Sequence, residues 1–364
     1  MKYTYRYLPQ DVFKLTIIAI ETHEHEALRR DAEEIGARLI LAKPIFGRNF
    51  LCFRVFQLLF REKFDIIQTH GFISAAHAYI ANTFFRVLHI LTVHGIVEEH
   101  LLGKGLLSIL KRRLLEKTVN RIDIVYGVSE DILEDVAKSI RLGSQVKRVV
   151  IHNGIDTDVF RKNASYPASL REKLGIPRSS FLIGFLGRFM PQKGFNFLID
   201  AAEILAKEVK ELNDWKVLAI GSGDFSREYK TIIKKRGLEH KFIFIPFQRD
   251  IVCVYKIIDL IAMPSVWEAF GLQAAEAMCV GVPIIVSDCI GLRETVKGTP
   301  AITFPSKDPS ALAEAIRLMM VNYSRDNFDK FRDEAVKRFD VRRTSIKVAE
   351  LFKRVYFDHC GEKW

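Results

Sequence analysis

Residues 257–286 read Ile257-Ile258-Asp259-Leu260-Ile261-Ala262-Met263-Pro264-Ser265-Val266-Trp267-Glu268-Ala269-Phe270-Gly271-Leu272-Gln273-Ala274-Ala275-Glu276-Ala277-Met278-Cys279-Val280-Gly281-Val282-Pro283-Ile284-Ile285-Val286. The mostly apolar run Ile257 to Met263 reads as a strand, Leu272 to Val280 as a helix, and Val282 to Val286 as a second strand. A strand, a helix and a further apolar strand predict a parallel sheet covered on both faces. Glu268 then sits on the loop leaving a strand, and Glu276 inside the next helix. The backbone N–H groups at that helix start favour an anion. An anion pocket flanked by two hydroxyl-binding carboxylates suits a sugar nucleotide.

The same rhythm extends in both directions. Upstream in the second half lie strand Phe181 to Leu186, helix Phe195 to Val209, strand Lys216 to Ile220, helix Arg227 to Lys235 and strand Phe242 to Ile245. Downstream come a short strand near Ala301 to Phe304, helix Ser310 to Val321 and a closing helix, Arg342 to Phe357. The first half reads as strands at Lys14–Ile20, Ala37–Ala42, Phe64–His70, Leu88–His94, Ile122–Val128 and Arg148–His152. Helices are expected at Glu26–Gly36, Phe50–Phe60 and Leu106–Val119, with another from Glu130 capped by Ser129. Asn153-Gly154 marks a turn, and the segment to about Pro177 reads as a crossing linker. The fold class is therefore α/β, with two doubly wound parallel-sheet domains facing across a cleft. The expected bounds are 1–155, with 342–364 packing back on it, and 156–341.

The chain of 364 residues is comfortable for two domains. Its net charge of +11 is compatible with nucleic acid, an anionic membrane surface or anionic substrates. The basic clusters are scattered, with no basic tail, zinc-finger or RNA-binding signature, so nucleic acid is set aside. Five scattered cysteines without metal spacing read as reduced thiols in a cytoplasmic protein. No apolar run approaches the roughly 18 residues of a spanning helix. Helix Phe50 to Phe60 carries Phe50, Leu51, Phe53, Phe56 and Leu59, with Arg48, Arg54 and Arg61 in or beside it. That face suits peripheral contact with an anionic membrane at the inner face, although a core-facing helix is the weightier reading.

Gly184-Phe185-Leu186-Gly187-Arg188-Phe189-Met190-Pro191-Gln192-Lys193-Gly194 spans a strand end and the loop after it. Glycine lets backbone approach a phosphate, Arg188 offers a fork and Lys193 a point charge, a fitting pair for a diphosphate. Together with Glu268 and Glu276, which have seven residues between them in a Glu-x7-Glu pattern, this loop resembles the retaining glycosyltransferases of the glycosyltransferase-4 type, which have the GT-B fold. The resemblance implies that Arg188 and Lys193 hold the leaving diphosphate without a divalent metal. It assigns Glu276 to the ribose hydroxyls, Glu268 to a hydroxyl of the transferred sugar, and the Gly271 and Leu272 amides, next to Phe270, to the distal phosphate. Gly187 and the Gly221-Ser222-Gly223 turn would border the nucleotide, and Phe247 would frame the base. Thr92-Val93-His94-Gly95 resembles the strand end whose histidine contacts the donor sugar or the reacting centre, with Thr69-His70-Gly71 a weaker candidate. His152-Asn153-Gly154-Ile155-Asp156 resembles the interdomain hinge.

The family usually opens with a strand and a Gly-Gly loop. Here the first clear strand resembles the family's second, the first glycine is Gly36, and Met1 to Phe13 reads as a remnant of the first helix. The resemblance implies transfer of a hexosyl unit from a nucleotide-diphosphate sugar to a hydroxyl acceptor, with no cofactor beyond that donor. An inactive nucleotide-sugar-binding partner subunit is the alternative, and a nucleotide-sugar 2-epimerase a lesser one.

Overall fold

The computed structural model describes residues 2–361 except 22–24, 44–50, 98–105, 162–167, 209–213 and 249. Phe50, Arg48, Val209 and Arg249 thus lie outside the described residues. The chain forms two compact units. Unit 1 is Met1–Gly154 with Val341–Trp364, and unit 2 is Ile155–Asp340.

Unit 1 runs α1 (Lys2–Arg6), β1 (Thr16–Ile20), α2 (His25–Glu34), β2 (Arg38–Ala42), α3 (Leu51–Arg61), β3 (Ile66–His70), α4 (Phe72–Asn82), β4 (Leu88–Val93), α5 (Leu106–Val119), β5 (Ile124–Gly127), α6 (Glu130–Ile140) and β6 (Lys147–Val150). Every pairing is parallel. β3-β4-β5-β6 form one sheet, and β1 pairs with β2 in a separate two-stranded one. β4 is buried along its whole length, as a strand covered on both faces should be. Ser129 caps α6 as expected, its Oγ accepting from the Ile132 N–H at 3.3 Å. The C-terminal helix Val341–Cys360 belongs to this unit: the Phe352 ring meets Phe13 edge-on, and Thr344 donates to the His152 carbonyl at 2.9 Å.

Helix α4 had no counterpart in the sequence reading. Its residues, Phe-Ile-Ser-Ala-Ala-His-Ala-Tyr-Ile-Ala-Asn, carry no charge to mark a polar face, and the residue before it, Gly71 at φ 84°, has no side chain to cap it.

Unit 2 runs α7 (Thr157–Arg161), α8 (Ala168–Lys173), β7 (Phe181–Leu186), α9 (Phe195–Glu208), β8 (Trp215–Ile220), α10 (Ser226–Lys235), β9 (Phe242–Ile245), α11 (Ile251–Ile257), β10 (Leu260–Met263), α12 (Leu272–Val280), β11 (Ile284–Ser287), α13 (Leu292–Val296), β12 (Ile302–Phe304), α14 (Pro309–Val321) and α15 (Asp326–Phe339). Its single sheet is parallel throughout, in the order β12-β11-β10-β7-β8-β9. Alternate side chains feed the two faces: Leu182 and Leu186 join one core, Ile183 and Phe185 the other. The strand order reverses between β7 and β10. The helices that follow these two strands pack on opposite faces, α9 in one core and α12 in the other, which makes the carboxyl ends of β7 and β10 the place where such folds bind ligands.

Two local readings are corrected. The expected linker before Pro177 contains α7 and α8, and α8 is anchored by buried Arg171. That guanidinium donates to Asp259 at 2.6 Å and to the carbonyls of Ile257, Arg178 and Ser180. Ile257 ends α11 rather than starting a strand. A short apolar run does not distinguish the two, and Asp250, whose carboxylate accepts from the Cys253 N–H, starts the helix just upstream.

Candidate active site

The loops after β7 and β10 lie directly against each other. Gly194 holds φ 66°, and a Cβ on it would sit 1.9 Å from the Pro264 carbonyl oxygen. The Val266 N–H donates to Gln192 O at 2.8 Å, and Gln192 Nε2 to Trp267 O at 3.2 Å. This stitching brings together two side chains 75 residues apart: Lys193 Nζ donates to Glu268 Oε1 at 2.7 Å. Ser265 Oγ donates to the same oxygen at 2.8 Å. Glu268 is 6% exposed. Burial penalises an isolated carboxylate, and the ammonium and hydroxyl on Oε1 offset that cost.

Helix α12 starts beside this pair. Gly271 precedes it at φ 76°, with no side-chain cap and no acidic residue in the first turn. Its first N–H groups therefore keep their partial positive charge for an anion. A Cβ on Gly187 would lie 3.3 Å from Gln273 Nε2 and 3.7 Å from Lys193 Cε. Gly187, Lys193 and the first turn of α12 thus converge on one place. Gly221 backs Gly187 so closely that a Cβ on it would lie 2.0 Å from the Gly187 carbonyl oxygen. Arg188 follows Gly187 and is exposed, with no ion pair among the described residues.

One turn into α12, Glu276 is half-buried and accepts a hydrogen bond from Tyr255 Oη of α11 at 2.7 Å. Burial pushes the Glu276 carboxyl up to about 7, and the Tyr255 hydrogen bond pulls in the opposite direction. The carboxylate and carboxylic acid forms are therefore close in free energy near neutral pH.

The remaining assigned residues divide. Phe247 is 72% exposed where the chain leaves β9, and Leu272 is 41% exposed in the first turn of α12. Phe270 is corrected. Its ring is buried at 3% exposure and packs edge-on against Phe339, so it is a core residue that offers the site only backbone. Ser265, Gln273 and Tyr255 were missed. Ser265 and Gln273 are in plain view within the decisive segment, but neither residue type signals a role by itself. Tyr255 is on another helix and carries no sequence signal at all.

In unit 1, His70 and His94 stand at the carboxyl ends of adjacent strands β3 and β4. A concavity of about 260 Å³ there is lined by His70, Gly71, Phe72, Ile73 and His94 among others. The donors and acceptors of the network fix its protons in turn. Gln68 Nε2 donates to Thr92 Oγ1 at 2.7 Å, so Gln68 Oε1 accepts from Tyr5 Oη at 2.5 Å. With its hydrogen spent, Tyr5 Oη accepts from His70 Nε2 at 2.7 Å. His70 Nδ1 is then bare and accepts from His94 Nε2 at 2.8 Å. Burial, reinforced by the neighbouring His94, holds His70 down to about 3. Burial of the ring, with the N-terminal charge second, lowers His94 in the same direction, to about 4. Both rings are neutral at pH 7, and His94 Nδ1 is left as an acceptor.

The model of glycosyl transferases group 1 matches residues 168–337, and that of Glycosyltransferase Family 4 matches residues 1–159. An uncharacterized glycosyltransferase of Methanocaldococcus jannaschii is 33% identical over 194 residues, which are 52% of this chain and 48% of that protein. A D-inositol 3-phosphate glycosyltransferase of Xylanimonas cellulosilytica is 28% identical over 276 residues, 72% of this chain and 65% of that protein. The matches thus span from about half to two thirds of these relatives' length. The Anabaena protein Alr3699/HepE, solved in complex with UDP and glucose, superposes with a TM-score of 0.79 at 22% identity, over 96% of this chain and 94% of that one. With family models matching both of its halves, residues 1–159 and 168–337, the chain belongs to glycosyltransferase family 4.

Proposed function

We propose that this chain is a retaining glycosyltransferase that moves a hexosyl unit from a nucleotide-diphosphate sugar to a hydroxyl acceptor. The observation that carries the reading is the buried Lys193–Glu268 pair, set where the β7 and β10 loops meet the uncapped start of α12. Lys193 can give one N–H to Glu268 and another to a phosphate oxygen, while Glu268 keeps capacity for a sugar hydroxyl. Arg188 and the Gly271 and Leu272 amides complete the cradle for the diphosphate. Glu276, one turn deeper, takes the ribose hydroxyls. His94 accepts a hydrogen bond from a sugar hydroxyl through Nδ1.

In the proposed reaction the bond from the anomeric carbon to the diphosphate oxygen breaks, and a bond to the acceptor oxygen forms on the same face of the sugar. The acceptor proton passes to the departing phosphate oxygen. Negative charge grows on the diphosphate as the bond breaks, and fixed positive groups around it lower the barrier. Arg188 and Lys193 supply that compensation, without a divalent metal in the proposed scheme. The neighbour solved with UDP-glucose makes a uridine donor the first to try.

The test is a thermal-shift screen with UDP-, GDP- and ADP-sugars, since a ligand bound only by the folded state raises Tm. One class should stabilise the protein. Lys193→Ala and Glu276→Ala should each abolish that shift and cut turnover by ~10²-fold or more, while far-ultraviolet circular dichroism stays unchanged. Undiminished donor binding in both variants would refute the site.

A further inference from the structure

Seven of the eighteen exposed large apolar side chains among the described residues lie on three neighbouring helices of unit 1, and Phe84 lies just past one of them. α3 packs on α4, and α4 on α5. On α3, Phe53 and Phe60 are seven residues apart and exposed, at 50% and 75%, while Val55 and Leu59 point to the core. On α4 the usual pattern is inverted. Ala75, Ala78 and Ala81 face inward, whereas Ile73 and Ile80 face outward. Phe84, just past α4, is 75% exposed and meets Phe56 of α3 edge-on. α5 continues the surface with Leu110 and Leu114, at 65% and 60%.

The charges on these helices are nearly all of one sign. α3 carries Arg54 and Arg61, and α5 carries Lys111, Arg112, Arg113 and Lys117. Glu116 is the acid among the three helices, and it already faces Arg112 at 3.5 Å. A large apolar surface on a soluble domain marks an interaction site. Its basic border selects the partner's charge. A second copy presenting the same face would set like charges against like, which disfavours self-association. No described helix is long and apolar enough to cross a membrane, so the surface can lie on a bilayer but not span one.

We propose that the α3–α4–α5 face of unit 1 docks on an anionic lipid bilayer, with Phe53, Phe60, Ile80, Phe84, Leu110 and Leu114 seated among the lipids and the Arg and Lys side chains on the headgroups. Basic groups near such a surface are attracted within a Debye length, and apolar burial adds a salt-insensitive component. None of the six apolar residues named is assigned a role in donor binding, so the proposal stands whether or not the proposed transfer reaction does.

The experiment is vesicle co-sedimentation of the full chain with phosphatidylglycerol-containing and pure phosphatidylcholine vesicles, at low and high salt. Bound protein should be at least ~10-fold greater on the anionic vesicles and fall steeply with salt. Phe60→Ser with Phe84→Ser, and separately Lys111→Glu with Arg113→Glu, should each cut binding by ~10-fold or more, with circular dichroism and nucleotide-induced thermal shift unchanged. Equal binding to neutral vesicles, no binding to either, or binding that survives both variants would overturn the proposal. A concentration-dependent dimer in analytical ultracentrifugation that Phe60→Ser abolishes would assign the face to a second copy instead.

Discussion

If Glu276 takes the ribose hydroxyls, donor affinity must fall as pH falls, by an amount that follows from the carboxyl's environment. In the free protein burial places this group at about 7, above the ordinary glutamate value of 4.5. Hydroxyl donors favour the ionised form, so a bound nucleotide returns the group toward 4.5. The sign follows from linkage. The free protein holds a proton that the complex releases, so binding strengthens as pH rises and levels off above about 7. Between about pH 8 and about pH 5.5 that difference weakens donor binding roughly 30-fold. The probe should be UDP-glucose, whose diphosphate is a diester with no ionisation of its own in this range. Titration calorimetry in two buffers of different protonation enthalpy should show close to one proton released near pH 6. Glu276→Gln should bind more weakly at pH 8 and lose the pH dependence. A flat wild-type profile, or the same slope in the Gln variant, would refute the assignment.

Two further outcomes are expected. Arg171→Ala removes a buried guanidinium that carries Asp259 and three carbonyls, and should lower stability by ~3–5 kcal/mol in urea titration; a shift under ~1 kcal/mol would show that the network is dispensable. In nitrogen-15 NMR at pH 7, His70 and His94 should both carry their proton on Nε2. A proton on Nδ1 of either ring would break the inferred chain from Gln68.

Much of the candidate site was legible in the sequence because its parts are local. Glu268, Gly271 and Glu276 lie within nine residues, and strand-loop-helix punctuation places them on a loop, at a helix start and inside a helix. The Gly187 to Lys193 loop is recognisable for the same reason. Phe270 shows the limit. It lies in the same segment, and a pattern of residue types does not say which way a ring turns; packing against Phe339 turned it inward.

Side-chain pairing across the sheet was beyond the sequence. That Lys193 bonds Glu268 follows from the strand order, which makes β7 and β10 neighbours although two strands separate them in the chain. Tyr255 against Glu276, and Tyr5 against His70, are likewise contacts between elements, which no local period encodes. The outward face of α4 is of this kind too. Its apolar sequence reads as buried, and only the packing of three alanines inward left Ile73 and Ile80 in water. Periodicity and turn chemistry act within about a dozen residues and so determine element type and the local motif. Proton positions, charge pairs and exposed faces depend on which elements the chain brings side by side, and that is set only when the sheet and its covering helices assemble.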